Sequence, residues 1–217
     1  SSAASDVYKR QVCMRSLPQG TAREVSALGH RLAWRALGLL LDRAEQQLFE
    51  SGVRLAKEES GRPVWRGTDC FVSISHTGTT AAAAVSRVRI GIDLEPAGRQ
   101  NLRVARRMFT ENEQRWLSQQ LQEGAQDAFA RLWTLREAYA KWTGLGLTGL
   151  ARRDQSFQPL EFAVEEQGKI RCSDSLCAAG CVRLGEHLLA VVLPSEVGAE
   201  LILEEDDGSF KKIWKSA

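Results

Sequence analysis

The chain has 217 residues, a length that allows one large domain or two small packed halves. Its 43% hydrophobic and 26% charged residues are typical of a globular protein and exclude a disordered or collagen-like one. The formal net charge of +2 and the absence of an apolar run of about 18–20 residues argue against nucleic acid and membrane partners.

The first eleven residues read SSAASDVYKRQ, with no periodicity and no helix cap. They resemble vector- or adaptor-derived sequence, so residues 1–11 are set aside as a non-native or disordered tail. In that case the native first strand would be missing. Helical spacing of leucines then predicts a helix over residues 22–49, with Gly38 as its weak point.

Alternating hydrophobicity predicts strands at residues 71–76, 79–87 and 90–95. An arginine-rich loop follows, and the Thr110–Glu113 capping box predicts the start of a helix. A longer helix is predicted over residues 125–143, ending at Gly144. Antiparallel strands are predicted at 157–164, 168–172, 176–184 and 187–193, and the order of elements indicates an α+β fold.

Five cysteines are an odd number, and we expect reduced thiols in a cytoplasmic protein. Cys172, Cys177, Cys181 and His187 are a weak zinc alternative, because zinc sites usually carry a second closely spaced pair of ligands. Small residues of a strand or loop are the preferred interpretation.

Asp93 and Glu95 form an acidic pair on one face of a predicted strand. Residues i and i+2 of a strand lie about 6.5–7 Å apart, so their charges repel unless a cation lies between them. Mg²⁺ is commonly held by one or two carboxylates together with substrate phosphates. The alternative is a solvated strand end.

Glu137 and Lys141 lie four residues apart at the edge of a broad apolar helix face. They could simply support the helix as an ion pair, an interaction worth about 0.2–0.5 kcal/mol. Arg136 points into the apolar face, where a lone guanidinium is costly, so it needs a buried anion or an open cleft. We predict that these three residues line a cleft.

Ser75 and His76 end a strand beside a glycine turn. His76 could bind a phosphate or an acid, or it could be an ordinary loop residue. A Ser–His dyad for acyl transfer is poorly placed here, because neighbouring strand residues point to opposite faces. Arg31 and Arg62 are isolated cations, and without further context each is predicted to be a surface residue.

Five motifs occur in a consistent order: GRP at 61–63, SISHTG at 73–78, GIDLE at 91–95, RMFTENE at 107–113 and WTLREAYAKWTGLGL at 133–147. Together they resemble the 4′-phosphopantetheinyl transferases of the monomeric, surfactin-synthetase-activating (Sfp) type. The resemblance extends over about residues 23–150. It implies a pseudo-dimeric α+β fold, in which each half is a small antiparallel sheet with a long helix. Residues 12–89 would form the N-terminal half with coenzyme A phosphate contacts, and residues 90–217 the C-terminal half with the metal and catalytic residues.

The resemblance also implies an activity. The enzyme would transfer the 4′-phosphopantetheine group of coenzyme A to a serine of an acyl or peptidyl carrier protein, releasing adenosine 3′,5′-bisphosphate. Mg²⁺ would be required, with Mn²⁺ as the alternative, and the protein would be a cytoplasmic monomer with pseudo-twofold symmetry. Two other hypotheses stay open: a non-catalytic homologue that binds carrier protein or coenzyme A, and a metal-dependent phosphodiesterase.

Roles for individual residues follow from the resemblance alone. The implied metal ligands are Asp93, Glu95 and Glu137. Asp93, Glu137 and Lys141 would be catalytic, with Glu137 as the general base and Lys141 at the pyrophosphate. The implied coenzyme A contacts are Arg31, Arg62, Ser75, His76 and Lys141. The implied carrier-docking residues are Arg99, Arg103, Arg106 and Phe109. Arg136 replaces the more usual lysine, which leaves its contact open.

Overall fold

The computed structural model describes residues 9–150, 160–165, 168–196, 198, 200–204 and 208–215. The helices are α1 (Ala22–Leu41), α2 (Glu45–Glu50), α3 (Leu102–Met108), α4 (Glu111–Gln122), α5 (Ala128–Thr143) and α6 (Gly146–Leu150). The strands are β1 (Lys9–Ser16), β2 (Arg54–Lys57), β3 (Pro63–Arg66), β4 (Phe71–Thr77), β5 (Thr80–Ser86), β6 (Gly91–Pro96), β7 (Phe162–Val164), β8 (Ile170–Cys172), β9 (Cys177–Leu184), β10 (His187–Pro194), β11 (Glu200–Glu204) and β12 (Phe210–Lys215). The predicted α+β class is confirmed.

The first sheet has five strands in the order β12-β11-β1-β5-β4. The expectation of purely antiparallel sheets is wrong here, because β1 runs parallel to β11. Residues 9–11, which the sequence analysis set aside, form the start of β1. Residues 1–8 of the proposed tail lie outside the described residues. The leucine spacing of α1 buries Leu28, Leu32 and their neighbours against one face of this sheet.

The second sheet has three strands in the order β6-β10-β9, all antiparallel. Helix α5 covers one face of it. The remaining faces of the two sheets pack together through residues such as Val12, Ile92 and Leu201. Strands β11 and β12 come from the C-terminal end of the chain but join the first sheet, so a boundary at residue 89 does not separate the two sheets.

Serine hydroxyls on β4 join the two sheets next to the acidic strand. Ser73 Oγ accepts a hydrogen bond from the backbone N–H of Ile92 at 3.0 Å. Ser75 Oγ accepts one from the N–H of Leu94 at 3.1 Å. On the edge of β6 that faces β4, these bonds satisfy buried backbone N–H groups that have no neighbouring strand to pair with in the part of the chain that the structure describes. They also hold β6 beside β4.

Two predicted segments differ from the observed helices. The helix predicted over 22–49 is divided into α1 and α2. Helix α1 is capped by Asp42, which takes the left-handed conformation and donates its backbone N–H to the carbonyl oxygen of Gly38. The predicted arginine-rich loop contains α3, which begins where the Asn101 side chain accepts a hydrogen bond from the N–H of Val104. In the described part of the chain, no helix has an apolar stretch long enough to cross a bilayer.

Gly91 brings β6 unusually close to α5. A Cβ atom at this position would collide with the carbonyl oxygen of Ala138 and lie 2.6 Å from the backbone nitrogen of Trp142. We therefore expect Gly91→Ala to lower the free energy of unfolding by about 1–3 kcal/mol, measured by urea denaturation. Gly98→Ala is the matched control, because no atom lies within 4 Å of its added Cβ. Equal urea midpoints for the two variants would contradict this prediction.

Candidate active site

The acidic pair of β6 is buried. Asp93 is 5% exposed and Glu95 is 7% exposed, while Ile92 and Leu94 of the same strand point into the core between the sheets. The alternation predicted for this strand is confirmed, and the alternative of a solvated strand end is wrong. Buried carboxylates are costly unless they are paired or hydrogen-bonded, so their partners define the site.

Each carboxylate has one partnered oxygen. Asp93 Oδ1 accepts hydrogen bonds from Ser75 Oγ at 2.7 Å and from Lys141 Nζ at 2.8 Å. Glu95 Oε1 accepts from Trp133 Nε1 at 3.2 Å and also from the Arg99 guanidinium. Among the described residues, neither Asp93 Oδ2 nor Glu95 Oε2 has a hydrogen-bond partner, although both are buried.

Glu137 adds a third carboxylate from α5. It is half-buried, one helical turn before Lys141. Burial, followed by repulsion from Asp93, raises the pKa of Glu137 to about 7, and Glu95 adds to the repulsion. The Lys141 ammonium acts in the opposite direction. The carboxylates of Asp93, Glu95 and Glu137, which come from β6 and α5, therefore interact electrostatically, and Lys141 offsets part of their repulsion.

The donors fit a hard divalent cation. Two buried carboxylate oxygens without partners lie on one strand, and oxygen ligands of this kind are the ones that Mg²⁺ prefers. Within the described ranges, no group of three or more His, Cys, Asp or Glu side chains is arranged so that it could hold a metal ion by itself. The side chains as they stand thus offer an open, partial set of ligands.

Two adjoining cavities open beside Lys141. Their volumes are about 230 and 320 Å³, and both are lined by Arg62, Pro63, Val72 and Lys141. We call these two cavities the Arg62 cleft. Gly144, which ends α5 in the left-handed conformation, lies next to the Arg62 guanidinium. The GRP turn and the C-terminal end of α5 thus meet at this cleft.

Known proteins share the segment that carries this site. Residues 89–192 match the family model described as the 4′-phosphopantetheinyl transferase superfamily. The matched segment makes up slightly less than half of this chain. It contains Asp93, Glu95, Glu137 and Lys141.

The chain is 34% identical over 91 residues to 4′-phosphopantetheinyl transferase gsp of Aneurinibacillus migulanus. It is 34% identical over 105 residues to psf-1 of Bacillus pumilus, and 31% identical over 105 residues to Sfp of Bacillus subtilis (strain 168). These matches cover 42–48% of this chain. They span 38–47% of the relatives, which is less than half of their length.

Among solved structures, the chain is similar to the crystal structure of Thermotoga maritima holo-[acyl-carrier-protein] synthase, with a TM-score of 0.39 and 23% sequence identity. The similarity covers 55% of this chain and 71% of that one.

The coenzyme A contacts implied by the sequence resemblance lie in three different environments. Arg62 and Lys141 line the Arg62 cleft. His76 at the end of β4 and Arg31 on α1 are exposed. Ser75 is buried, and its hydroxyl is occupied by Asp93 and by the N–H of Leu94. In the structure Ser75 therefore positions Asp93, and its implied contact with a nucleotide stays a prediction.

Two of the predicted docking residues, Arg99 and Phe109, have partners within the protein. Arg99 pairs with Glu95 and its guanidinium lies 5.7 Å from the Trp133 ring centroid, so it belongs to the acidic site. Phe109 is 1% exposed and packs on Phe129, so it offers no surface to a partner. Arg103 and Arg106 are exposed on α3, and their docking role stays a prediction.

Arg136 is a buried structural residue. Its guanidinium pairs with Glu113 and donates to the carbonyl oxygen of Leu160 at 2.8 Å. Glu113 also accepts hydrogen bonds from the backbone N–H groups of Thr110 and Phe162. The predicted buried anion exists, but the expectation that Arg136 lines a cleft with Glu137 and Lys141 is wrong. Glu113, the glutamate of the Thr110 capping box, provides that anion.

Trp133 and Arg89 are site residues that the sequence analysis did not identify. The indole of Trp133 fixes Glu95, and its position four residues before Glu137 on α5 is a signal that could have found it. Arg89 lines the Arg62 cleft and donates to the carbonyls of Trp142 and Thr143 at the end of α5. Only the packing of β6 against α5 reveals its position.

Arg136→Met should lower the free energy of unfolding by about 3–5 kcal/mol, because it leaves the Glu113 carboxylate buried without its cation. Urea denaturation monitored by circular dichroism measures this loss. Arg131→Met on the same helix removes a pair with Asp127 whose side chains are 19% and 24% exposed, and should cost about 1 kcal/mol or less. Equal losses for the two variants would contradict the structural role of Arg136.

Proposed function

We propose that this chain transfers the 4′-phosphopantetheine group of coenzyme A to a serine hydroxyl of an acyl or peptidyl carrier protein, releasing adenosine 3′,5′-bisphosphate. The observation that carries the proposal is the pair of buried, unpartnered oxygens Asp93 Oδ2 and Glu95 Oε2 beside Lys141. The superfamily match over residues 89–192 and the names of the relatives support the same reaction.

Coenzyme A would bind in the Arg62 cleft. Its phosphates are anions, and the cleft is lined by the cations Arg62, Arg89 and Lys141. A guanidinium presents two parallel donors to a phosphate, while an ammonium supplies a compact charge. Arg31 on α1 and His76 on β4 remain proposed contacts for the 3′-phosphate end, and both side chains are exposed.

Asp93, Glu95 and Glu137 would hold the metal ion, with Mg²⁺ as the first choice and Mn²⁺ as the alternative. When bound, the ion would neutralise charge on the diphosphate of coenzyme A. Ser75 and Trp133 would keep the two β6 carboxylates in place, because each donates to one carboxylate oxygen and leaves the second oxygen unpartnered.

Side chains of the protein would accept the proton of the serine and stabilise the leaving group. Glu137 would accept the proton of the carrier serine as the serine oxygen forms a bond to the phosphorus of the phosphopantetheine phosphate. The bond from that phosphorus to the bridging oxygen would break, and adenosine 3′,5′-bisphosphate would leave. Lys141 lies one turn from Glu137 at the cleft, where its ammonium would stabilise the leaving oxygen.

The carrier protein would approach α3. Arg103, Arg106 and Leu102 are exposed on this short helix, which follows directly after the metal strand. Carrier proteins are acidic near their serine, so two exposed arginines would attract them and orient the serine toward the site. The cytoplasmic location and the monomeric state stay predictions.

Mass spectrometry of a carrier protein tests the activity. With coenzyme A and Mg²⁺, the carrier should gain about 340 Da, the mass of the transferred group. Glu137→Gln should lower the rate by about 100-fold or more without unfolding the protein, because the serine proton loses its acceptor. Glu111→Gln, on the exposed first turn of α4, is the control and should keep the wild-type rate.

Other outcomes of this assay would contradict the proposal. Binding of coenzyme A or carrier without any mass gain would identify a non-catalytic homologue. Breakdown of coenzyme A without transfer would identify a phosphodiesterase. A substantial rate for Glu137→Gln would remove that residue from the role of base.

Reversing the charge of α3 tests the docking surface. Arg103→Glu combined with Arg106→Glu should raise the KM for the carrier by about 10-fold, because electrostatic attraction becomes repulsion, and should leave the KM for coenzyme A unchanged. Arg43→Glu with Arg66→Glu makes the same change in net charge at exposed positions away from α3 and serves as control. Equal effects on both KM values would contradict docking at α3.

A further inference from the structure

A carboxylate of the protein itself occupies the guanidinium of Arg62. Arg62 Nε donates to Glu58 Oε2 at 3.0 Å, and Arg62 Nη2 donates to Glu58 Oε1 at 2.9 Å. The turn between them is closed by the N–H of Glu58, which donates to Arg62 O at 2.9 Å. The backbone thus holds both side chains on the same turn, and the ion pair is bidentate.

The pair lies among other charges of the same cavity. Arg62, Arg89 and Lys141 line it together with the carboxylates of Glu58 and Asp69. Asp69 is directed to a different cation, Arg87, at 3.5 Å. The hydrogen bonds from Arg62, with the nearby charge of Arg89, hold the pKa of Glu58 below its usual value. Glu58 is therefore the anion at the Arg62 end of a cationic cavity.

A carboxylate and a phosphate compete for the same donors. Both present two oxygens to the parallel N–H groups of a guanidinium, so the bidentate face of Arg62 cannot serve Glu58 and a phosphate at once. The Glu58 side chain is 41% exposed and that of Arg62 is 27% exposed. Partly exposed pairs of this kind contribute little stability, so a more highly charged ligand can displace the carboxylate.

We propose that Glu58 is an affinity-determining residue of the Arg62 cleft: its carboxylate occupies Arg62 in the free protein and leaves when a phosphate group of coenzyme A binds there. The inference rests on the proposed function, because it takes coenzyme A as the anionic ligand. It adds a residue that opposes binding, beside the cations that favour it.

Calorimetric titration with coenzyme A and with adenosine 3′,5′-bisphosphate tests the inference. Glu58→Gln keeps the shape of the side chain and removes its charge, and should lower the Kd by about 2- to 5-fold at 50 mM salt. The gain should shrink at 300 mM salt, because ions screen a partly exposed charge. Glu59→Gln is the matched control: it makes the same charge change one residue away, and the described residues give Glu59 no ion pair.

A double-mutant cycle separates competition from general charge. The double variant Glu58→Gln/Arg62→Ala should bind coenzyme A with the same Kd as Arg62→Ala alone, because the guanidinium for which Glu58 and the phosphate compete is absent. Thermal unfolding of each variant, followed by circular dichroism, verifies that the fold is retained. If Glu58→Gln tightens binding equally with and without Arg62, the competition is disproved.

The remaining outcomes are also decisive. Equal Kd values of the wild type and of Glu58→Gln for coenzyme A would overturn the inference and leave the proposed function intact. Weaker binding by Glu58→Gln would overturn it too, since Glu58 would then position Arg62 for the ligand. No binding of coenzyme A by any of the variants or the wild type would overturn the proposed function and the inference together.

Discussion

The hydrogen bonds to Asp93 Oδ1 connect the elements that build the site. Ser75 donates to this atom from β4 and Lys141 donates from α5, while Asp93 itself lies on β6. One oxygen thereby ties the edge of the first sheet, the second sheet and the covering helix. The second oxygen, Asp93 Oδ2, is left buried and without a partner among the described residues. The same arrangement that stabilises the packing therefore leaves a ligand position open.

Close packing makes those bonds geometrically feasible. Gly91 lets α5 approach β6 so closely that no side chain fits between them. The approach brings Trp133, Glu137 and Lys141, at successive turns of α5, over the acidic face of β6. The packing also buries much of Glu137, and this desolvation, more than the repulsion from Asp93, raises the pKa of its carboxyl.

Local sequence predicts parts of this molecule that depend on short-range patterns. The alternation around Asp93, the capping box at Thr110 and the end of α5 at Gly144 all follow from neighbouring residues, and all are confirmed. Long-range pairings do not follow from such patterns. The parallel contact of β1 with β11 joins opposite ends of the chain, and Arg136 finds Glu113 on another helix. The resemblance implies that Phe109 and Arg99 dock a carrier protein, whereas packing buries the first and the charge of Glu95 attracts the second.

Two of the arginine–glutamate pairs, Arg136–Glu113 and Arg62–Glu58, illustrate how burial decides the role of an ion pair. Arg136 and Glu113 have side chains only 2% and 1% exposed, and both are also bonded to backbone groups, so neither can exchange its partner without leaving a charge in the core. Arg62 and Glu58 make an equally direct pair at the mouth of a cavity, where water can replace either partner. The first pair fixes α5 against α4, and the second leaves Arg62 able to take a different anion. Arg136 therefore stabilises the helix that carries the candidate site, while Arg62 is the arginine whose partner is exposed enough to be exchanged.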